Sequence, residues 1–270
     1  MKFHRIESAE RTLFQAGIEA IEQTAFYPLG NDSFQIDHGD RYFAFFDRLG
    51  EVNYFAALDG ERVAAVGAGI LRQVPYRQGE SSHLAWYLCD LKVHPDYQRQ
   101  HLSMRLLHHA LQSCLGKCDR GYTISMNVGD GKPNRLARIY EKFNLVRFRC
   151  SSILGIYSVD DVTMRSLEPT LIRYRGQISY LSLQGIKDLK LQSNGKMLPL
   201  LHVQWGESIR SDISTISTPL AGYTHMFCVP NGDDLAIALQ SKGIFPDATA
   251  SLVSHGMDKS DWRFILTSDI

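Results

Sequence analysis

Residues 90–106 hold the pattern in this chain that is best suited to bind an anion. A predicted buried strand ends at Val93, Pro95 stops it, and an amphipathic helix opens within a few residues. Free backbone amides at a helix start, together with the helix dipole, attract negatively charged groups such as phosphates. The alternative is a plain strand–helix connection, because this geometry is common in α/β proteins.

Tyr140 is the second candidate for chemistry. It lies on a predicted helix from Asn134 to Phe143, where its phenol could donate a proton at neutral pH. At helical spacing the same side chain could simply be a core aromatic, which is the interpretation that this helix alone favours.

The first of these segments resembles motif A of the GNAT acetyltransferase superfamily, a strand ending in Val-x-Pro followed by Gln/Arg-x-x-Gly-x-Gly/Ala. Val93, Pro95 and Gln98 match that motif. Ser103 is a small residue at its last position, and His101 stands at the first glycine position. Glycine there lets a pyrophosphate approach the backbone without a Cβ in the way.

The second segment resembles motif B of the same superfamily, Asn-x-x-Ala-x-x-x-Tyr-x-Lys-x-Gly-Phe. Tyr140-Glu141-Lys142 matches it, and Leu145 replaces the phenylalanine. Asn144 takes the glycine position, where we expect it to cap the helix in the left-handed conformation. The asparagine of the motif falls on Pro133, one place before Asn134. The two motifs together extend the resemblance over roughly residues 1–158.

This resemblance implies an N-acyltransferase that moves an acetyl or other acyl group from acetyl-coenzyme A directly to an amine. Tyr140 would protonate the leaving thiolate. Backbone groups of the strand before the helix would hold the pantetheine and the carbonyl, and amides at the helix start would hold the phosphates. The implied cofactor-binding residues are Leu91, Lys92, Val93, Gln98, Arg99, Gln100, His101, Leu102, Ser103, Met104 and Asn134.

The general base is open at this point. Family members often have a carboxylate on this strand that acts through water, and Asp90 is the nearest candidate. Asp90 could equally be a structural acceptor in a β-bulge. Cys89 is the less favoured alternative, because direct transfer needs no covalent intermediate. We expect no metal site, since His101 and His108 are seven residues apart and no carboxylate joins them at ligand spacing.

The surrounding elements predict a mixed α/β (α+β) fold. Asp59-Gly60 between two apolar runs predicts a β-hairpin, which helices precede. Strand, helix, strand, helix and strand then follow, which is the order of a mixed sheet of the GNAT type. We expect this acyl-coenzyme A binding domain over residues 1–158 and a smaller α/β domain over residues 159–270.

The second domain contains an echo of the first. Residues 235–244 repeat the pattern of residues 136–145, with Leu239 in the place of Tyr140 and Gly243 in the place of Asn144. No copy of motif A lies between residues 159 and 225. This predicts a degenerate GNAT-like repeat without a cofactor, which would wall the acceptor pocket of the first domain or pair with a second copy in a homodimer.

The remaining predictions for this half are a polar join at residues 158–166 and a helix from Asp233 to Lys242. Its predicted strands are Gln177–Leu183, Met197–Val203, His225–Val229, Ala248–Ser254 and Trp262–Thr267.

Composition limits the partners and the compartment. The 29 basic and 29 acidic residues give no net charge, which favours neither nucleic acid nor an anionic membrane. No apolar run approaches the roughly 20 residues of a membrane span, and the start of the chain lacks the apolar stretch of a secretion signal. The 5 cysteines form no CxxC pair, which favours free thiols in the cytoplasm.

Three hypotheses remain at the level of sequence. The first is the N-acyltransferase with a small-molecule or protein amine as acceptor. The second is a catalytically silent acyl-coenzyme A binding or protein-interaction module, which the missing motif A glycine favours. The third is an α/β protein whose motifs are chance matches.

Overall fold

A computed structural model of the chain describes residues 1–75, 82–114, 116–129, 134–206 and 215–270. Three strands form a small antiparallel sheet, in the order β10-β3-β2: β2 (Tyr27–Leu29), β3 (Asp32–Asp37) and β10 (Asp188–Leu191). Eleven strands form a large mixed sheet: β1 (Lys2–Ile6), β4 (Glu51–Asp59), β5 (Arg62–Pro75), β6 (Ser82–Val93), β7 (Gly121–Met126), β8 (Arg149–Val159), β9 (Ile178–Leu181), β11 (Leu200–Trp205), β12 (Thr215–Ile216), β13 (Thr224–Pro230) and β14 (Ala248–His255).

Six α-helices accompany these strands: α1 (Arg11–Glu22), α2 (Ala44–Asp47), α3 (Leu102–Cys114), α4 (Arg135–Glu141), α5 (Asp161–Arg175) and α6 (Asp234–Ser241). The mixed α/β fold is therefore confirmed. No helix in the described ranges is long and apolar enough to cross a membrane.

The large sheet has buried apolar clusters on both faces, because successive strand side chains point to opposite sides. On β13, Met226 packs into one core and Phe227 into the other. The first face, called face A here, carries α1, α2, the small sheet and residues 257–270. The opposite face, face B, carries α3, α4, α5 and α6.

The large sheet runs without a break through both halves of the chain, in the order β1-β4-β5-β6-β7-β14-β8-β13-β11-β9-β12. Its centre is formed by an exchange of strands. β14, from the carboxyl-terminal half, lies between β7 and β8 and pairs antiparallel with both. β8 in turn pairs with β13 of the other half. The predicted boundary at residue 158 lies at the end of β8, so the two predicted units share one sheet.

Several predicted elements agree with the structure. Asp59-Gly60 connects β4 to β5, with Gly60 at a φ of 61°. The amphipathic helix predicted to open after Pro95 is α3.

Three local predictions are wrong. The polar join at residues 158–166 is the start of α5, because the Asp160 side chain accepts a hydrogen bond from the Thr163 amide at 2.7 Å and caps that helix. The strand predicted at residues 262–267 consists of short 3-10 turns, which pack apolar side chains such as Trp262 on face A. Asn144 does not adopt a left-handed conformation, because α4 already ends at Glu141.

Candidate active site

The central feature of the site is a gap between two parallel strands. β6 and β7 pair only from Trp86–Gly121 to Leu88–Thr123. Beyond this point β7 remains paired with β14, while β6 remains paired with β5 up to Val93. No strand of the described chain pairs with the β7-facing edge of β6 at residues 89–93. The backbone groups of Leu91, Lys92 and Val93 therefore lie along this open edge. The family resemblance predicted that these groups bind the pantetheine arm.

A β-bulge distorts β6 at this gap. Val66 pairs with Lys92 and Ala68 with Cys89, so Asp90 and Leu91 together lie opposite a single residue of β5. Asp90 has a φ of 56°, which is unusual for a residue other than glycine. The position of Asp90 in a bulge is the one that the structural alternative predicted.

The Asp90 carboxylate is buried and has three donors. The Tyr42 hydroxyl lies 2.8 Å from Oδ2, and the Tyr54 hydroxyl and the Lys92 ammonium donate to the same carboxylate. This arrangement favours the structural role in a bulge over the role of base. The base role is untested and stays a prediction.

Glu22 joins this network from the end of α1, and no sequence signal pointed to it. Lys92 donates to its Oε2, while its Oε1 is buried without a hydrogen-bond partner. Burial raises the pKa of Glu22 above its usual range, against the opposing effect of Lys92. Burial lowers the pKa of Lys92, but Asp90, Tyr27 and Glu22 outweigh this and hold it well above its ordinary value.

Tyr140 lies on face B against the same gap. Its ring is 1% exposed and packs edge-on against Phe148, with 5.3 Å between the ring centroids. Together with Leu88, Cys89 and Leu91 it lines a small space beside β6. Burial raises the pKa of the Tyr140 phenol, so the hydroxyl keeps its proton at neutral pH. The structure therefore places Tyr140 at once in the core and beside the gap.

Burial also raises the pKa of the Cys89 thiol well above its usual value. Since a thiolate is the reactive form, this disfavours Cys89 as a nucleophile.

The loop before α3 has two residues in the left-handed conformation that glycine usually adopts, although neither is glycine. Arg99 has a φ of 65° and His101 a φ of 56°, both in the left-handed region. Both side chains are exposed, as are those of Gln98 and Gln100. α3 begins at Leu102, and the His101 carbonyl accepts the Arg105 amide at 3.1 Å. The first amides of a helix have no partner within the helix, so those of residues 101–104 are suited to an anion.

The side chains that follow in α3 serve the core. Leu102 is buried under β4 and β5, and Met104 packs with Tyr140. Ser103 is half-buried between them. These residues would therefore bind a cofactor through their amides.

The Asn134 side chain is already occupied. Its Oδ1 accepts the amides of Leu136 and Ala137 at 3.0 Å each, which caps α4. Its Nδ2 donates to the carbonyls of Ser125 and Met126 at the end of β7 and to Asn127. Asn134 thus ties the helix of Tyr140 to the edge of the gap. Its cofactor contact stays a prediction, and Pro133 lies outside the described residues.

A cavity of about 230 Å³ opens from the gap on face A. One wall comes from Cys89–Lys92 on β6 and from Ile124–Met126 on β7. The opposite wall comes from the carboxyl-terminal half and includes Lys187, His202 and Thr267. The sequence did not identify any of these three as site residues, since nothing in their spacing marks them.

Lys187 and His202 are the polar side chains of that wall. Burial lowers the pKa of Lys187 to about 7 and lowers that of His202 well below its ordinary value. Within the described ranges, no group of three or more His, Cys, Asp or Glu side chains could hold a metal ion.

Comparison with known proteins places this geometry in a family. Residues 15–144 match the acetyltransferase (GNAT) family. The uncharacterized protein L340 of Acanthamoeba polyphaga mimivirus is 26% identical over 255 residues, which cover 93% of this chain and 74% of that protein.

Among solved structures, the chain is similar to a tandem GNAT protein from the clavulanic acid biosynthesis pathway. The TM-score is 0.53 at 10% identity, over 96% of this chain and 99% of the other. Arabidopsis thaliana NAA60 in complex with acetyl-CoA aligns over 57% of this chain and 87% of its own, at 16% identity and a TM-score of 0.38. The similarity to the tandem protein shows that this chain has the tandem GNAT fold.

Proposed function

We propose that this chain, whose residues 15–144 match the acetyltransferase (GNAT) family, is an N-acyltransferase. It transfers an acyl group from acetyl-coenzyme A, or a related thioester, to an amine. The observation that carries the proposal is the gap between β6 and β7, with Tyr140 beside it and the left-handed loop at Arg99 and His101 at one end.

The residues present fit coenzyme A as a substrate. Amides at the start of α3 would hold its pyrophosphate, since Arg99 and His101 already have the backbone conformation that glycine usually supplies. The unpaired edge of Leu91 to Val93 would hold the amides of its pantetheine arm. His101 departs from the motif here, because its Cβ would lie where glycine lets a pyrophosphate approach the backbone.

The transfer needs one bond to form and one to break. The nitrogen of a neutral amine attacks the thioester carbonyl carbon, the carbon–sulfur bond breaks, and the amine loses a proton to water or a nearby base. The thiolate that leaves takes the proton of Tyr140, which solvent then restores. Because burial raises the pKa of Tyr140, its phenol carries at neutral pH the proton that this step needs.

Isothermal titration calorimetry with coenzyme A at millimolar concentration is the first test. We expect saturable heat from the wild-type protein. Thiol release from acetyl-coenzyme A in the presence of pooled amines is the second test, and we expect it to exceed the rate without amine. Absence of binding would refute the proposal.

A second candidate is a silent acyl-coenzyme A binding module. The three donors on Asp90 favour it, because they leave the predicted base engaged. Saturable binding without thiol release, across a broad set of amines, would support this module over the enzyme.

A further inference from the structure

The wall of the cavity that faces the gap carries two polar groups, Lys187 Nζ and His202 Nε2, that have no hydrogen-bond or ion-pair partner among the described residues. Lys187 precedes β10, whose pairing of Asp188 with Asp37 on β3 fixes its position. Its backbone amide donates to the Leu183 carbonyl at 2.8 Å, which closes a turn and directs the side chain inward. Lys187 is 7% exposed and lines the cavity.

The Lys187 ammonium has no carboxylate partner among the described residues. Its nearest described contact is the ring of Phe45, with 4.8 Å from Nζ to the centroid. Burying an ammonium without an anion costs free energy. This cost appears as a lowered pKa, since burial brings the pKa of Lys187 down to about 7. Binding an anion would recover that cost.

Three acidic side chains of this region pair with other cations. Asp90 and Glu22 share Lys92, and Asp269 lies 3.6 Å from Arg48 and 3.0 Å from Arg72. Each of these side-chain carboxylates therefore has a cationic partner other than Lys187.

His202 adds a hydrogen-bond acceptor to the same wall. The Thr267 hydroxyl donates its only proton to the Met226 carbonyl at 3.0 Å. Its 3.0 Å contact with His202 Nδ1 is therefore a hydrogen bond donated by the imidazole. This tautomer leaves a bare lone pair on Nε2, which is buried and has no partner.

We propose that the acceptor carries an anionic oxygen group, a carboxylate or a phosphate, as well as its amine. Lys187 binds that group, and His202 Nε2 accepts a hydrogen bond from an N–H or O–H of the same molecule. The amine then faces residues 89–92 on the opposite wall, where the thioester would lie. This inference rests on the proposed transferase function and names the class of its acceptor.

Calorimetry with three probes tests the inference: 4-aminobutyrate, O-phosphoethanolamine and butylamine, which has the amine but no anionic group. In the wild-type protein with coenzyme A, we expect at least one of the two probes with an anionic group to bind about tenfold or more tighter than butylamine. The probe that does so distinguishes a carboxylate from a phosphate site.

Two lysine variants locate the effect. Lys187→Met should abolish the preference for anions. Lys190→Met is the matched control, because Lys190 is exposed on β10 three residues away and should leave the preference intact. Lys187→Gln, which keeps an N–H donor without the charge, serves if the methionine variant does not fold. Equal affinity for all three probes in the wild type, or a preference that survives in both Lys187 variants, would overturn the inference.

Thiol release from acetyl-coenzyme A separates this inference from the proposed function. Equal turnover with butylamine and 4-aminobutyrate, unchanged in Lys187→Met, keeps the enzyme and removes the anion site. A Lys187-dependent preference in binding with no thiol release supports the anion site and removes the enzyme.

Discussion

The units β7–α4–β8 and β13–α6–β14 have the same order of elements but differ in chemistry. Tyr140 and Leu239 occupy corresponding helix positions, and both are almost completely buried. Asn134 and Asp233 cap the two helices, each with its side-chain oxygen on the backbone amide two residues later. The second unit thus keeps the packing and the cap and lacks the phenol. Packing and capping of the helix therefore do not require the phenol.

The two units also exchange their last strands. β8, which follows α4, pairs with β13, and β14, which follows α6, pairs with β7. Neither unit can complete its part of the sheet alone. The comparison is therefore between two parts of one continuous sheet.

The largest effect that we expect is on stability. Leu239→Ala should lower the free energy of unfolding by about 2–5 kcal/mol, since it empties a fully buried position in the core of face B. Ile237→Ala on the same helix is the control, because Ile237 is 58% exposed, and it should cost less than about 1 kcal/mol.

Urea unfolding should show this loss in a single transition, monitored by both fluorescence and circular dichroism. Two separate transitions, with only one of them shifted by Leu239→Ala, would mean that the halves unfold independently despite the exchanged strands.

The phenol gives the next largest effect. Tyr140→Phe should slow thiol release on the order of a hundredfold, the usual contribution of a positioned general acid, and leave coenzyme A binding unchanged. The ring stays in place, so the variant removes only the hydroxyl.

Leu239→Met is the matched change in the second unit, and its turnover should equal that of the wild type. Unchanged turnover in Tyr140→Phe would make Tyr140 the same kind of core residue as Leu239.

Lys187, in the carboxyl-terminal half, makes the free energy of unfolding depend on pH. In the folded chain its pKa is lowered to about 7 from an ordinary 10.5, so between these values the unfolded chain binds more protons than the folded chain. The free energy of unfolding therefore rises with pH in this window, by up to about 1.4 kcal/mol per pH unit from this group.

Because other groups also titrate, the useful quantity is the difference between the wild type and Lys187→Met. Relative to that variant, the wild type should gain stability from pH 7 to pH 9, as measured by urea unfolding at each pH. A difference that does not change with pH would mean that Lys187 stays charged in the folded chain.

The smallest effect concerns the phosphate loop, which has no described counterpart in the second unit. His101→Gly should tighten coenzyme A binding by about three- to tenfold, because glycine tolerates the φ of 56° and removes the Cβ near the phosphates. The control is His108→Gln, within α3, which should leave the affinity unchanged. Glycine is not used at residue 108 because it would weaken α3.

Calorimetry measures both variants. Weaker binding in His101→Gly would show that the imidazole itself contributes to the phosphate site.

Features that depend on neighbouring residues were predictable from the sequence. The exit of β6 through Val93 and Pro95 into α3, the Asp59-Gly60 hairpin and the helix of Tyr140 all follow from turn chemistry and apolar periodicity, which act over a few residues. The echo at Leu239 belongs to the same class. The resemblance to the family rested on these local patterns alone.

The errors were local as well. Residues 158–166 are polar because they cap and open a helix, and composition alone does not distinguish a cap from a linker. The apolar run at Trp262 reads as a strand by pattern, but it packs on the sheet without joining it. Asn144 was expected to cap α4, yet the helix ends before reaching it.

Only the tertiary structure decided which side chains line the cavity. Tyr42, Tyr54 and Glu22 converge on Asp90 and Lys92 from three separate elements, and nothing in their spacing connects them. Lys187 and His202 reach the gap because β10 pairs with β3 and because β14 brings the two halves into one sheet. Such contacts depend on which strands pair across more than a hundred residues. Side-chain type and periodicity act over only a few turns, so the sequence by itself determined most elements and the two motifs, while strand pairing determined the cavity wall opposite β6.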